Sequence, residues 1–119
     1  MLERITHDNG VVTYQSPLLR DAGVVHAFST RLGGVSTPPF DTLNLGTLAK
    51  DAEHHENTNV AENFRRLRAA INAHRIPRFE VSQVHGSAVW TAPDEAVPPR
   101  QPPCADALVT SRPGQLLTI

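Results

Sequence analysis

The chain has very little cysteine. Cys104 is alone among 119 residues, so an internal disulfide framework is excluded and a reducing compartment fits. It also has no excess of one charge. Eleven Lys and Arg stand against twelve Asp and Glu, a formal charge of −1 with six histidines neutral. Without a basic surplus to neutralise phosphates, a nucleic-acid partner is not expected. No stretch approaches the roughly 18 apolar residues of a membrane span, and no membrane partner is expected. The opening Met1-Leu2-Glu3-Arg4-Ile5-Thr6-His7 lacks the apolar run of a secretory signal. No internal repeat is found. At 39 % apolar and 19 % charged residues, the composition is that of a globular protein, and its length suits one domain. A cytoplasmic domain is the expectation.

Turn residues and apolar spacing divide the chain. Ile5, then Asp8-Asn9-Gly10, then Val11 to Tyr14 predict a hairpin, with Asn-Gly suited to a type I′ turn. A strand is expected over Val24–Ser29. Two glycines and two prolines between Arg31 and Phe40 exclude regular structure there, and Asn44-Leu45-Gly46 ends the irregular stretch. Val60, Phe64, Leu67 and Ile71 recur at helical spacing. Thr58 or Asn59 is the expected N-cap, Glu62 and Arg66 an i,i+4 pair, and Pro77 the stop, with His74 and Arg75 complementing the C-terminal dipole. Phe79 to His85 reads as a strand, broken at Gly86 and resumed by Ala88-Val89-Trp90. Five prolines from Pro93 to Pro103 mark a surface excursion. Ala105–Thr110 is extended again, Arg112-Pro113-Gly114 turns, and Leu116–Ile119 is an apolar run.

Few residues invite chemistry. His7 and His74 fall near element ends, and His26 lies in an apolar strand where a hydrogen-bonded core role is usual. His54-His55-Glu56 superficially suggests metal ligands, but adjacent side chains rarely converge on one ion. His85 differs in context. As a strand residue it would share a face with Gln83, and Gly86 leaves room beside the imidazole for a ligand, a metal or another backbone. Arg31 leaves a strand just before Gly33-Gly34, where a loop could fold around an anion. Its guanidinium fork suits phosphate or carboxylate, and Ser29 and Thr30 could add hydroxyl donors. A solvated turn arginine is the plainer alternative. Cys104 has no adjacent basic residue to favour its thiolate, so no nucleophile is assigned to it.

Taken together, His26-Ala27-Phe28-Ser29-Thr30-Arg31-Leu32-Gly33-Gly34-Val35-Ser36, Leu43-Asn44-Leu45-Gly46, Asn63, Gln83-Val84-His85-Gly86 and Ala105-Asp106-Ala107-Leu108-Val109-Thr110 resemble the YfiH-like, or multicopper polyphenol oxidase (laccase-domain), family. They stand in the family's order. The resemblance covers residues 24–119, with 1–23 as an N-terminal hairpin region outside it. It implies an α+β fold of mixed β-sheets with helices on their outer faces. It also implies a zinc-dependent purine nucleoside enzyme, phosphorolysing adenosine, inosine and methylthioadenosine and deaminating adenosine. Arg31, Thr30, Ser29, Asn44 and Gln83 would take substrate or phosphate, and His85 would be a metal ligand. The family's cysteine ligand, in Ala-Asp-Cys, and its second histidine, in His-Ala-Gly-Trp-Arg-Gly, have no match here. Phe64 follows Asn63 where arginine is commoner. Residues 1–119 therefore read as the N-terminal part of one family domain, inactive alone, with a C-terminal apolar strand open to association. A copper-dependent phenol oxidase and a non-catalytic nucleotide- or partner-binding module are the alternatives.

Overall fold

Asn9-Gly10 does turn the chain, by a different route from the one expected. In the computed structural model, which describes residues 1–46 and 54–119, β1 (Glu3–Thr6) pairs antiparallel with β2 (Val12–Gln15), Thr6 opposite Val12. Gly10 has φ +85°, and Asn9 is not among the residues at positive φ. The Gly10 N–H donates to the His7 carbonyl at 2.9 Å, and the His7 N–H to the Val11 carbonyl at 2.9 Å. One left-handed residue closing such a turn is the longer hairpin loop, with glycine as the bulge, rather than type I′.

Contacts divide the chain into two compact units, Met1–His74 and Arg75–Ile119. In the first, a short helix unforeseen from the sequence, α1 (Pro17–Asp21), follows the hairpin. Ser16 is its N-cap and Pro17 its first residue, a pairing that favours helix initiation. The strand expected over Val24–Ser29 contracts to β3 (Phe28–Ser29), which pairs antiparallel with β2. An irregular segment then leads to α2 (His54–Ala70). This helix starts ahead of Thr58 and Asn59, so neither is its cap. Its basic last-turn residue is Arg68, which donates to the Ala73 and His74 carbonyls, the role assigned from sequence to His74 and Arg75. The Glu62–Arg66 pair forms at 3.0 Å. Val60, Phe64, Leu67 and Ile71 are only half-buried, and among the described side chains of this helix the fully buried one is the polar Asn63. Val11, Val12, Thr13, Ser36, Leu43, Glu56 and Ala73 are also buried in this unit.

The second unit is built from two parallel pairs. β4 (Arg78–Glu80) lies beside β7 (Leu116–Thr118), and β5 (Val89–Thr91) beside β6 (Ala107–Val109). Phe79 is fully buried, its ring centroid 6.3 Å from that of Trp90. The proline-rich excursion carries no strand beyond a single bridge at Cys104. It is pinned where the Gln115 amide donates to the Pro93 and Glu95 carbonyls. The class is α+β. Antiparallel and parallel pairings are segregated, one to each unit, rather than mixed within a sheet.

Candidate functional site

In the first unit, a pocket of about 480 Å³ is lined by Ser29, Thr30, Arg31, Pro39, Phe40, Asp41, Leu43, Asn44 and Leu45. Four residues singled out from the sequence thus share one concavity. Their availability differs. The Arg31 side chain is 75 % exposed, with Asp41 Oδ2 3.9 Å away. An ion pair so solvated leaves most of the guanidinium fork free for another anion. Thr30 is occupied: its hydroxyl donates to the Val12 carbonyl at 2.8 Å and accepts from the Leu32 N–H at 3.3 Å. The Arg31 carbonyl accepts from the Thr42 and Leu43 N–H groups, which fixes the backbone while its side chain stays free.

Asn44 belongs to a network beneath the pocket. Its amide donates to Glu56 Oε1 at 2.9 Å, and its Oδ1 accepts from the Gly46 N–H at 3.0 Å. The Ser36 hydroxyl donates to the same Glu56 oxygen at 2.7 Å, and Asn59 donates to the other. Asn63, with no exposed surface, donates to Ser36 Oγ and to the Asn44 carbonyl and accepts from the Val35 N–H, each at 2.9 Å. Glu56 is buried. The Ser36 hydroxyl and then the Asn44 amide hold its carboxyl below the ordinary carboxylate value, against the upward push of burial, with Asn59 adding to them. Glu56 is thus a structural anion that ties α2 to the pocket's floor. The side chains of His54 and His55, which with Glu56 only superficially suggest a ligand run, lie outside the described residues.

Gly33 and Gly34 were expected to let the loop fold around a ligand. They serve backbone packing instead. A Cβ on Gly33, at φ +94°, would collide with the Gly10 carbonyl and Val11 Cα, and one on Gly34 with the Thr42 carbonyl and Leu43 Cα. Only glycine permits such approaches.

In the second unit, Gln83 and His85 are exposed, and the strand expected through them ends at Glu80. Ser82 makes an isolated parallel bridge to Cys104, after which the chain turns. Asp106 holds this turn. Its Oδ1 accepts the Val84 and His85 N–H groups at 3.0 and 2.6 Å, and its Oδ2 accepts the Gly86 N–H at 2.8 Å. His85 takes φ +57°, so Gln83 and His85 do not alternate on one strand face. Burial pushes the Asp106 carboxyl upward. The Gly86, Val84 and His85 donors, with the neighbouring imidazole, outweigh it and hold the group below its ordinary value. Nothing in residue spacing links Asp106 to positions 84–86; the visible signals were a glycine after His85 and a carboxylate entering a strand.

No three His, Cys, Asp or Glu side chains gather to hold a metal ion among the described residues. His85 offers one imidazole where a catalytic zinc takes three protein ligands. The donor set among the described residues does not fit zinc or copper.

Residues 25–119 match the family described as multi-copper polyphenol oxidoreductase laccase, and the chain belongs to that family. It is 39 % identical over 97 residues to the purine nucleoside phosphorylase YfiH of Escherichia coli (strain K12), covering 82 % of this chain and 37 % of that protein. It is 42 % identical over 108 residues to a purine nucleoside phosphorylase of Deinococcus radiodurans, covering 87 % and 38 %. A purine nucleoside phosphorylase of Mus musculus is 31 % identical over 118 residues, covering 98 % and 25 %. The chain therefore spans well under half the length of these relatives. No solved structure matches it.

Proposed function

We propose that the chain is part of a cytoplasmic purine nucleoside phosphorylase and contributes phosphate- and nucleoside-binding residues to it. The observation that carries this reading is the pocket holding Arg31 and Ser29, in a chain whose relatives are named for phosphorolysis. In the reaction, a phosphate oxygen bonds to C1′ of the nucleoside as the C1′–N9 bond breaks. Ribose 1-phosphate and the free purine result, the purine taking up a proton. Positioning and charge neutralisation carry much of such a transfer. Arg31 would hold the phosphate, and the Ser29 hydroxyl would add a donor. Thr30 would keep the arginine's backbone in place, and Phe40 and Pro39 would supply an apolar wall. Asn44 would act through the floor of the pocket; within the second unit, Gln83 would bind substrate and His85 would be a metal ligand. Adenosine, inosine and methylthioadenosine are the proposed substrates, with adenosine deamination as a second reaction. Zinc, or copper as the alternative, would need ligands beyond those described.

The binding role is tested by titrating the ¹⁵N-labelled chain with inorganic phosphate. Amide shifts are expected at Ser29–Arg31 and Phe40–Asp41, with affinity falling roughly tenfold in Arg31→Ala, the loss of one charge-assisted contact. Unchanged affinity in that variant refutes the role. The family's description favours a second reading, a phenol oxidase. For the whole protein, phosphate-dependent release of hypoxanthine from inosine supports the phosphorylase. Phenol oxidation without that release overturns it.

A further inference from the structure

Asp106 stands on a firmly held segment, Ala105-Asp106-Ala107. Asp106 enters β6 with its own N–H on the Ala88 carbonyl at 2.9 Å, and the Ala105 N–H donates to the Ser82 carbonyl at 3.2 Å. The carboxylate is therefore mounted on a segment tied to both sides of the 84–86 turn. Three successive N–H groups converge on it, a concave nest of donors filled by an anion from the chain itself. Within the nest His85 adopts φ +57°, a region that residues with a Cβ rarely occupy unless their surroundings over-determine it. Gly86 leaves the space for this approach: a Cβ there would stand 3.3 Å from Asp106 Oδ2. The His85 side chain makes no hydrogen bond among the described residues, and the residue is exposed.

We propose that Asp106 is the positioning residue for His85: by gathering the Val84, His85 and Gly86 N–H groups it forces the left-handed backbone that sets the direction of an imidazole with no hydrogen bond of its own. The proposal rests on the reading of His85 as a functional side chain, and its test separates the two. An extended His85 would send its side chain along the alternation of the preceding strand; the left-handed one turns it away. A carboxylate does this with short, charge-assisted bonds, whereas an amide has one acceptor oxygen to offer three donors.

The test uses the ¹⁵N-labelled chain and the variants Asp106→Ala and Asp106→Asn. The signature is the strong intraresidue Hα–HN Overhauser effect of a residue at positive φ. In Asp106→Ala we expect this signal to be lost at His85, and amide exchange at Val84, His85 and Gly86 to speed up roughly tenfold or more. The Leu116 amide, which donates to the Pro77 carbonyl, should keep its protection. In Asp106→Asn, Oδ1 still serves Val84 and His85, so the accelerated exchange should be confined to Gly86. Persistence of the His85 signal in Asp106→Ala overturns the proposal. If Asp106→Ala unfolds, Asp106→Asn decides, and equal acceleration at all amides there makes Asp106 a general stabiliser and overturns it. His85→Ala in the whole protein tests the other reading: retained inosine phosphorolysis removes the functional role of His85 and leaves the backbone result standing.

Discussion

Replacing Asn63 by alanine should unfold the first unit far more readily than its surface-pattern neighbours would suggest. Asn63 has no exposed surface and makes three hydrogen bonds at 2.9 Å, to Val35, Ser36 and Asn44. Truncation orphans a backbone N–H and a backbone carbonyl, and removes the donor to the buried Ser36 hydroxyl, which keeps its own bond to Glu56. Each buried unsatisfied group costs about 1–3 kcal/mol. The Val35 and Asn44 groups are part-buried and can recover water, whereas Ser36, 3 % exposed, cannot readily do so. The sum is about 2–4 kcal/mol, a large share of an ordinary 5–15 kcal/mol stability. For a unit of this size it corresponds to a fall in Tm of roughly 10–30 °C. Thermal unfolding followed by circular dichroism reads it directly. Asn63→Asp sharpens the test, because it is nearly isosteric. It keeps an acceptor for Val35 but turns an oxygen toward the Asn44 carbonyl and Ser36, and adds a second buried charge to the Glu56 network. It should therefore be at least as damaging as alanine. A loss below about 0.5 kcal/mol in Asn63→Ala, or an Asn63→Asp milder than alanine, refutes the account.

Gly34→Ala should cost about 2–3 kcal/mol, since its Cβ meets the Thr42 carbonyl and Leu43 Cα, backbone atoms that cannot swing aside. Gly46→Ala, whose Cβ meets only Asn44 Oδ1 at 3.2 Å, should cost much less in the same denaturant titration. Glu62 donates nothing and accepts from Arg65 and then Arg66, which lower its carboxyl from 4.5 to about 2. A depressed acid stabilises above its unfolded value. The stability difference between wild type and Glu62→Gln should therefore hold above pH 4.5, fade as pH falls toward about 2, and shrink in high salt. A pH-independent difference would contradict it.

Local rules made the hairpin, the body of α2, the Glu62–Arg66 pair and the proline excursion readable. Each is decided by residues a few positions apart. What escaped the sequence was decided at long range. Gln83-Val84-His85 has strand-forming residues, yet a carboxylate twenty positions on, at Asp106, bends it into a turn. The apolar stripe of α2 was legible, but the fully buried side chain on that helix is Asn63, which looked like an ordinary polar position until Ser36 and Asn44 were placed against it. For the candidate site, Arg31 and Ser29 were legible as strand-exit donors. That Thr30 and Asn44 spend their polar groups on the scaffold was not, because their partners Val12 and Glu56 lie in other elements. α1 escaped too, because its five residues are too few to display helical periodicity and only the Ser16-Pro17 start marks it.

The two parallel pairs bear on the order in which the protein is made. The first unit's hairpin can close as soon as Gln15 has been synthesised, since Glu3 and Gln15 are partners. In the second unit, Phe79 waits for Leu117 and Trp90 for Leu108, and closing such long loops must precede any gain from pairing. Until the ribosome has delivered β7, the Phe79 strand has no partner in its sheet. A stalled or slowed nascent chain would thus present this segment, rather than the hairpin, to chaperones and proteases.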